Sequence, residues 1–248
     1  MLLRRIIEHV KTQNWIAIAL DFVIVVVGVF MGLQVQQWAE EQARRGEEAA
    51  YTQRLHDEVV DLQTTREPII EMRERWVLRM QEALPVIFGD DDRQLSEDEC
   101  RGIAYNYFVS NPTDDLGALL ELQSSGRLSI IRNETVTQAL QNFLLTRARA
   151  RDSQAQISAL VEPIGPAHPH LIRVVSPTIV ENKVEVRSGV FECDIAGMRA
   201  DDAFKQDFEI AQSHAAFHTF DNARVSDSLN ELHRALDAVL GHNHREAR

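Results

Sequence analysis

The sequence predicts a mainly α protein: one N-terminal transmembrane helix followed by a helical extracytoplasmic domain with at most one small β-hairpin. Three observations carry this expectation. Residues 16–33 read IAIALDFVIVVVGVFMGL, eighteen residues with a single charge, Asp21. Apolar residues then recur at spacings of three and four through most of the chain, and beyond the span β-branched residues dominate the stretch 171–195. The 248 residues are 44% apolar and 26% charged, enough for one or two domains with a core and too polar for a polytopic membrane protein. Disorder and collagen are excluded on the same numbers. A net charge of −12 at pH 7 argues against a nucleic-acid partner, because phosphate neutralisation needs clustered Lys and Arg. Two cysteines, 93 positions apart, exclude the zinc modules built on four cysteines or on a close pair.

The first elements are the short segment 1–14 and the transmembrane helix 15–34. At 1.5 Å per residue, eighteen helical residues cover about 27 Å of a hydrocarbon core of about 30 Å. Trp15 and Trp38 bracket the run, where indole rings favour the two lipid–water interfaces. A cleaved signal peptide is the competing reading, but its apolar run is usually 7–15 residues and ends at a small-x-small site, which MGLQVQQWAEEQ lacks. Residues 1–14 hold Arg4, Arg5 and Lys11 against Glu8, while the chain beyond residue 33 carries −13. Positive-inside bias therefore places the N-terminus in the cytoplasm and the large part in the periplasm of a bacterial inner membrane. Leu3, Ile6, Ile7 and Val10 recur at helical spacing, so 1–14 reads either as an interfacial helix or as a plain orientation signal. Fourteen cytoplasmic residues are too few for an output domain.

Within the span, Asp21, Val25, Gly28 and Gly32 follow at i, i+4, i+7 and i+11 and share one stripe, with Asn14 seven residues earlier. A carboxylate at the bilayer centre costs about 2.5–3.5 kcal/mol, so Asp21 is protonated, snorkelling, or paired with another helix. A narrow stripe of small residues with a polar end suits close approach by a second helix, from another copy or from a different protein. The alternative is a chance GxxxG and a snorkelling Asp21.

Residues 35–88 read as juxtamembrane helices, with Tyr51, Leu55, Val59, Leu62, Ile69, Trp76, Met80 and Ala83 on one face. Pro68 predicts a kink or break there, with Thr65 as N-cap of the second segment. Residues 89–248 form the helical periplasmic domain. The run GDDDRQLSEDE resembles a calcium loop only at a glance, since its sixth position from Asp90 is Leu95 rather than Gly. Ser96 and Glu99 instead have capping-box spacing. A helix from Cys100 to about residue 109 is stopped by Asn111-Pro112. A helix over 114–124 is closed by Ser125-Gly126, and a long helix opens at Asn133 or Thr135, burying Val136, Leu140, Phe143, Leu144 and Ile157. Four of the seven prolines fall in 163–177, ending helix; Glu181-Asn182-Lys183 turns between two short strands, and Asp201 or Asp202 restarts helix.

The phrase IIEHVKTQNWIAIALDFVIVVVGVFMGLQVQQW, together with LLELQSSGRLSIIRNETVTQALQNFL, resembles an uncharacterised family of bacterial N-terminally anchored single-pass membrane proteins, a domain of unknown function. The resemblance implies membrane placement and a helical outer domain. It implies no reaction, substrate or catalytic residue.

Candidate chemistry is sparse. Cys100 and Cys193 are disulfide candidates if both face an oxidising compartment; otherwise they are two separate thiols. His214, His218 and Asp221, at i, i+4 and i+7, could share a helical face and hold a metal with His168 or His170, but HEXXH is absent and Ala215, Ala216 and Phe217 suit an ordinary packed helix. His242 and His244 read as solvated. Ser124-Ser125-Gly126 lacks the nucleophile-elbow frame, and no phosphate-binding glycine loop occurs. No catalytic residue, cofactor or metal is therefore assigned. The expected partners are the bilayer and another transmembrane helix, with Asp21, Gly28 and Gly32 as the contact. The expected role is a non-enzymatic accessory or assembly subunit, with a periplasmic ligand-sensing module and, more distantly, a membrane-tethered hydrolase as alternatives.

Overall fold

The computed structural model describes residues 15–105, 112–160, 162–178 and 187–242. The segment 1–14, the stop at Asn111 and the turn at 181–183 lie outside the described residues. Among those described there are seven α-helices and one two-stranded antiparallel sheet, so the chain is mainly helical with a small sheet. In order these are α1 (Trp15–Phe88), α2 (Glu97–Ala104), α3 (Gly117–Ser124), a 3₁₀ turn (Leu128–Ile130), α4 (Glu134–Leu160), α5 (Ile164–Ala167), β1 (Ile172–Thr178), β2 (Arg187–Cys193), α6 (Ile195–Ala200) and α7 (Asp202–Leu240). The chain divides into two compact units, Met1–Tyr51 and Thr52–Arg248.

In the first unit the described residues are all helical, from Trp15 onward. Its polar end is laced by local pairs: Glu41 meets Arg44 and Arg45, and Gln36 donates to Glu40 at 2.9 Å.

In the second unit, α1 passes through Pro68 and Pro85 as continuous helix, so of the kink or break expected at Pro68 the break does not occur. Thr65 does not act as an N-cap. Its hydroxyl donates back to the carbonyls of Asp61 and Leu62, and Thr64 does the same to Val60, the usual behaviour of threonine inside a helix. Proline removes one helical N–H and crowds the carbonyl four residues earlier. Tertiary contacts outweigh that loss here: Arg66, two residues before Pro68, is buried and donates to Pro112 O, Thr113 O and Asn222 Oδ1.

Around this part of α1 the other elements are placed by identifiable caps. Ser96 and Glu99 form a complete capping box at the start of α2, and Arg93 grips Glu99 with two guanidinium nitrogens at 2.6 and 2.8 Å. Helix α3 begins at Gly117, not at 114, and its N-cap Leu116 has no capping side chain. Glu58 of α1 supplies one instead, accepting from Ala118 N at 2.8 Å. Gly126, at φ +69°, closes α3 as Arg127 N reaches back to Leu122 O. Asn133 caps α4 through Val136 N at 3.1 Å. Asp201 caps α7 through Ala203 and Phe204.

Helices α4 and α7 pack along one another, burying Val136, Leu140 and Phe143 of one and Val225, Leu229 and Leu232 of the other. Leu144 and Ile157 are only half-buried. A second apolar cluster joins Met80, Ile87, Ile103, Leu171, Met198 and Phe208. Beside it the hairpin strands pair with Ile172 opposite Cys193 and Val174 opposite Phe191. Cys100 and Cys193 are joined, their Cα atoms 5.8 Å apart, which ties α2 to β2.

Candidate functional site

The first candidate is the apolar part of α1. It is long and apolar enough to cross a membrane: its best eighteen-residue window has a mean hydropathy of 1.7, and none of that window is buried within the chain. Phe22 is 68% exposed and Val25 63%. A Cβ added at Gly28 or Gly32 would meet nothing within 4 Å. The stripe read from the sequence is therefore uncovered at Val25, Gly28 and Gly32. Of Asp21 the structure describes the backbone alone.

The second candidate is a polar seam in the second unit. Arg73 on α1 lies against the ring of His218 on α7, and Asn222 donates to the same ring at 3.1 Å. Burial, reinforced by the Arg73 charge, pushes His218 down to about 3, so the ring is neutral and accepts from the guanidinium. Burial, together with the neighbouring Arg66 charge, lowers Arg73 to about 10. A metal at His218 would have to displace this cation. His214, His218 and Asp221 are not among the clusters whose donor atoms converge in the described residues, and His168 and His170 lie with Asp201 instead. The face invoked for a hydrolase is thus occupied by a hydrogen-bonded arginine.

Two histidine–carboxylate clusters do converge. In one, His168 Nε2 holds Asp207 Oδ2 at 2.8 Å and His170 Nε2 lies 3.4 Å from Asp201 Oδ2. In the other, His56 of α1 meets His233 and Asp237 of α7, with His56 Nε2 and Asp237 Oδ1 3.0 Å apart. His242 joins them, its Nδ1 3.5 Å from His56 Nε2. His242, read from the sequence as solvated, therefore touches a buried side chain, while His244 lies outside the described residues. The i, i+4 spacing of His233 and Asp237 was a visible signal. Their partnership with His56, far away in sequence, was not.

An open groove of about 400 Å³ lies between α1 and α7, lined by Gln63, Arg66, Glu67, Ile70, Glu71 and Asn230. Arg66 Nε is buried there without a hydrogen-bond partner. No family model, curated protein or solved structure matches the chain.

Proposed function

We propose that this protein is anchored by residues 15–34 in a bacterial inner membrane, N-terminus cytoplasmic and helical unit periplasmic, and acts by binding partners as an accessory or assembly subunit. The supporting observation is the uncovered apolar helix: a run with none of its best eighteen-residue window buried by the chain needs lipid or another helix around it. The resemblance to single-pass proteins of unknown function, the charge asymmetry across the span and the open Gly28/Gly32 stripe agree with this reading. Asp21, Gly28 and Gly32 are the proposed contact with a second transmembrane helix, from another copy or a different protein.

Purification of the full chain from native membranes in mild detergent, beside Asp21→Ala, tests the proposal. A stoichiometric membrane partner identified by mass, and lost in the variant, is the expected result. Recovery of the protein alone from both preparations would sink the partner-helix contact. The groove containing Arg66 favours a second reading, a ligand-sensing module, which predicts a rise in melting temperature with a small carboxylate ligand.

A further inference from the structure

We infer that His56, His233, Asp237 and His242 form a structural zinc site that fastens the end of α7 to α1. This goes beyond the partner-binding reading and does not depend on it.

The local chain already aims these groups at one point. His233 and Asp237 stand one helical turn apart on α7, which puts both on the same face. Gly241, at φ +73°, then reverses the backbone, and His242 N returns to Asp237 O at 3.1 Å. That closure folds His242 back beside the carboxylate of Asp237, five residues earlier in the chain. His56 comes from α1 and is buried.

Three of the donors already crowd as closely as metal ligands do, and the His242 ring stands next to two of them. With metal–nitrogen distances of 2.0–2.1 Å, tetrahedral ligands stand about 3.3 Å from one another. Here Asp237 Oδ1 lies 3.0 Å from His56 Nε2 and 3.9 Å from His242 Nδ1, Asp237 Oδ2 lies 3.6 Å from His233 Nε2, and His56 Nε2 lies 3.5 Å from His242 Nδ1. The donor atoms of His56, His233 and Asp237 all fall within 4.8 Å of one another. Asp237 is only 14% exposed, so two imidazoles and one carboxylate converge at a largely sheltered point, with the half-exposed His242 ring beside them.

Two further features select the metal and the role. His56 Nδ1 lies 3.3 Å from Asp57 Oδ1. A carboxylate on the second ring nitrogen is how metal-bound histidines are oriented, leaving Nε2 directed at the ion. Three nitrogens and one oxygen suit zinc and not magnesium or calcium, which take oxygen ligands in larger number. With His242 turned in as the fourth donor no open position remains, so the site holds structure rather than activating water. The His168/His170 cluster fits less well: Asp201 spends Oδ1 on the α7 cap, His168 Nδ1 is 4.0 Å from Asp201 Oδ2, and His170 is largely exposed.

The test uses the full-length chain in detergent, without a histidine tag, stripped with chelator and titrated with Zn²⁺ against a chromophoric competitor. One zinc per chain is expected, with affinity reduced more than about a hundredfold in His233→Ala and about tenfold in Asp57→Asn. His242→Ala guards against misfolding, since it lies past the helix end and outside the core; loss of the tetrahedral visible spectrum of bound Co²⁺ is expected there. His170→Ala should change neither readout. Failure of the wild type to hold zinc, unchanged affinity in His233→Ala, or loss in His170→Ala would each overturn the assignment.

Discussion

Two stretches of α1 make opposite use of apolar side chains. Over residues 22–33 the helix is apolar on every side and its side chains are exposed. Between 52 and 88 most apolar residues keep to one face, Leu78 and Phe88 apart, and Leu55, Val59 and Met80 are covered by the rest of the chain. Periodicity makes the difference. A stripe with spacing of three and four can be covered by neighbouring elements while its other side meets water. A helix apolar all round has no side to give to water, and soluble monomers rarely expose contiguous apolar patches beyond a few hundred Å². The periodic stretch also takes charges into the interior, as with Arg66 and Arg73, because neighbouring carbonyls, Asn222 and His218 are there to accept from them.

The largest expected effect comes from giving the first stretch what only the second tolerates. Val25→Lys with Val29→Lys places two charges near the middle of the apolar run, at about 5–7 kcal/mol for insertion into a bilayer. The variant should leave the membrane pellet on alkaline washing, while thermal unfolding of the second unit stays as in the wild type. Retention in the pellet would erase the contrast drawn between the two stretches.

Legibility in the sequence follows the same division. The apolar run, the Ser96/Glu99 box, the Gly126 closure and the β-branched hairpin are local signals, each needing only a few neighbouring residues. Pro68 does not break the helix because its cost is local while its compensation is distant: Arg66 is held by carbonyls of residues 112 and 113 and by Asn222. The start of α3 shifted for a similar reason, since its cap is Glu58 from another helix. The His56 cluster was half visible, in the spacing of His233 and Asp237, and half hidden, because only the fold brings α1 beside them.

A smaller effect comes from the covalent bond inside the second unit. The Cys100–Cys193 bond closes a loop of 93 residues in sequence separation, for which loop-closure entropy gives about 4–5 kcal/mol. Replacing both cysteines by alanine should lower the melting temperature of the second unit and leave membrane retention unchanged. Equal melting of wild type and variant under non-reducing conditions would show that the apolar cluster around Ile103 and Leu171 holds α2 and β2 without the bond.

The smallest effect belongs to the polar seam. The folded value of His218, about 3, is depressed below its ordinary 6.5 by burial and by Arg73. Between those values the unfolded chain binds the proton and the folded chain does not, so stability from this group is complete above pH 6.5 and falls as pH drops toward 3. At about 1.4 kcal/mol per pH unit, roughly 2 kcal/mol is lost between pH 6.5 and 5. Glu99, held down to about 2 by Arg93, contributes above pH 4.5 and loses that contribution as pH falls through 2, so it leaves this window clear. Urea unfolding of wild type and His218→Gln at pH 7.5 and pH 5 isolates the term as the difference between the two slopes. Identical slopes would mean that Arg73 gives way and lets His218 take its proton inside the fold.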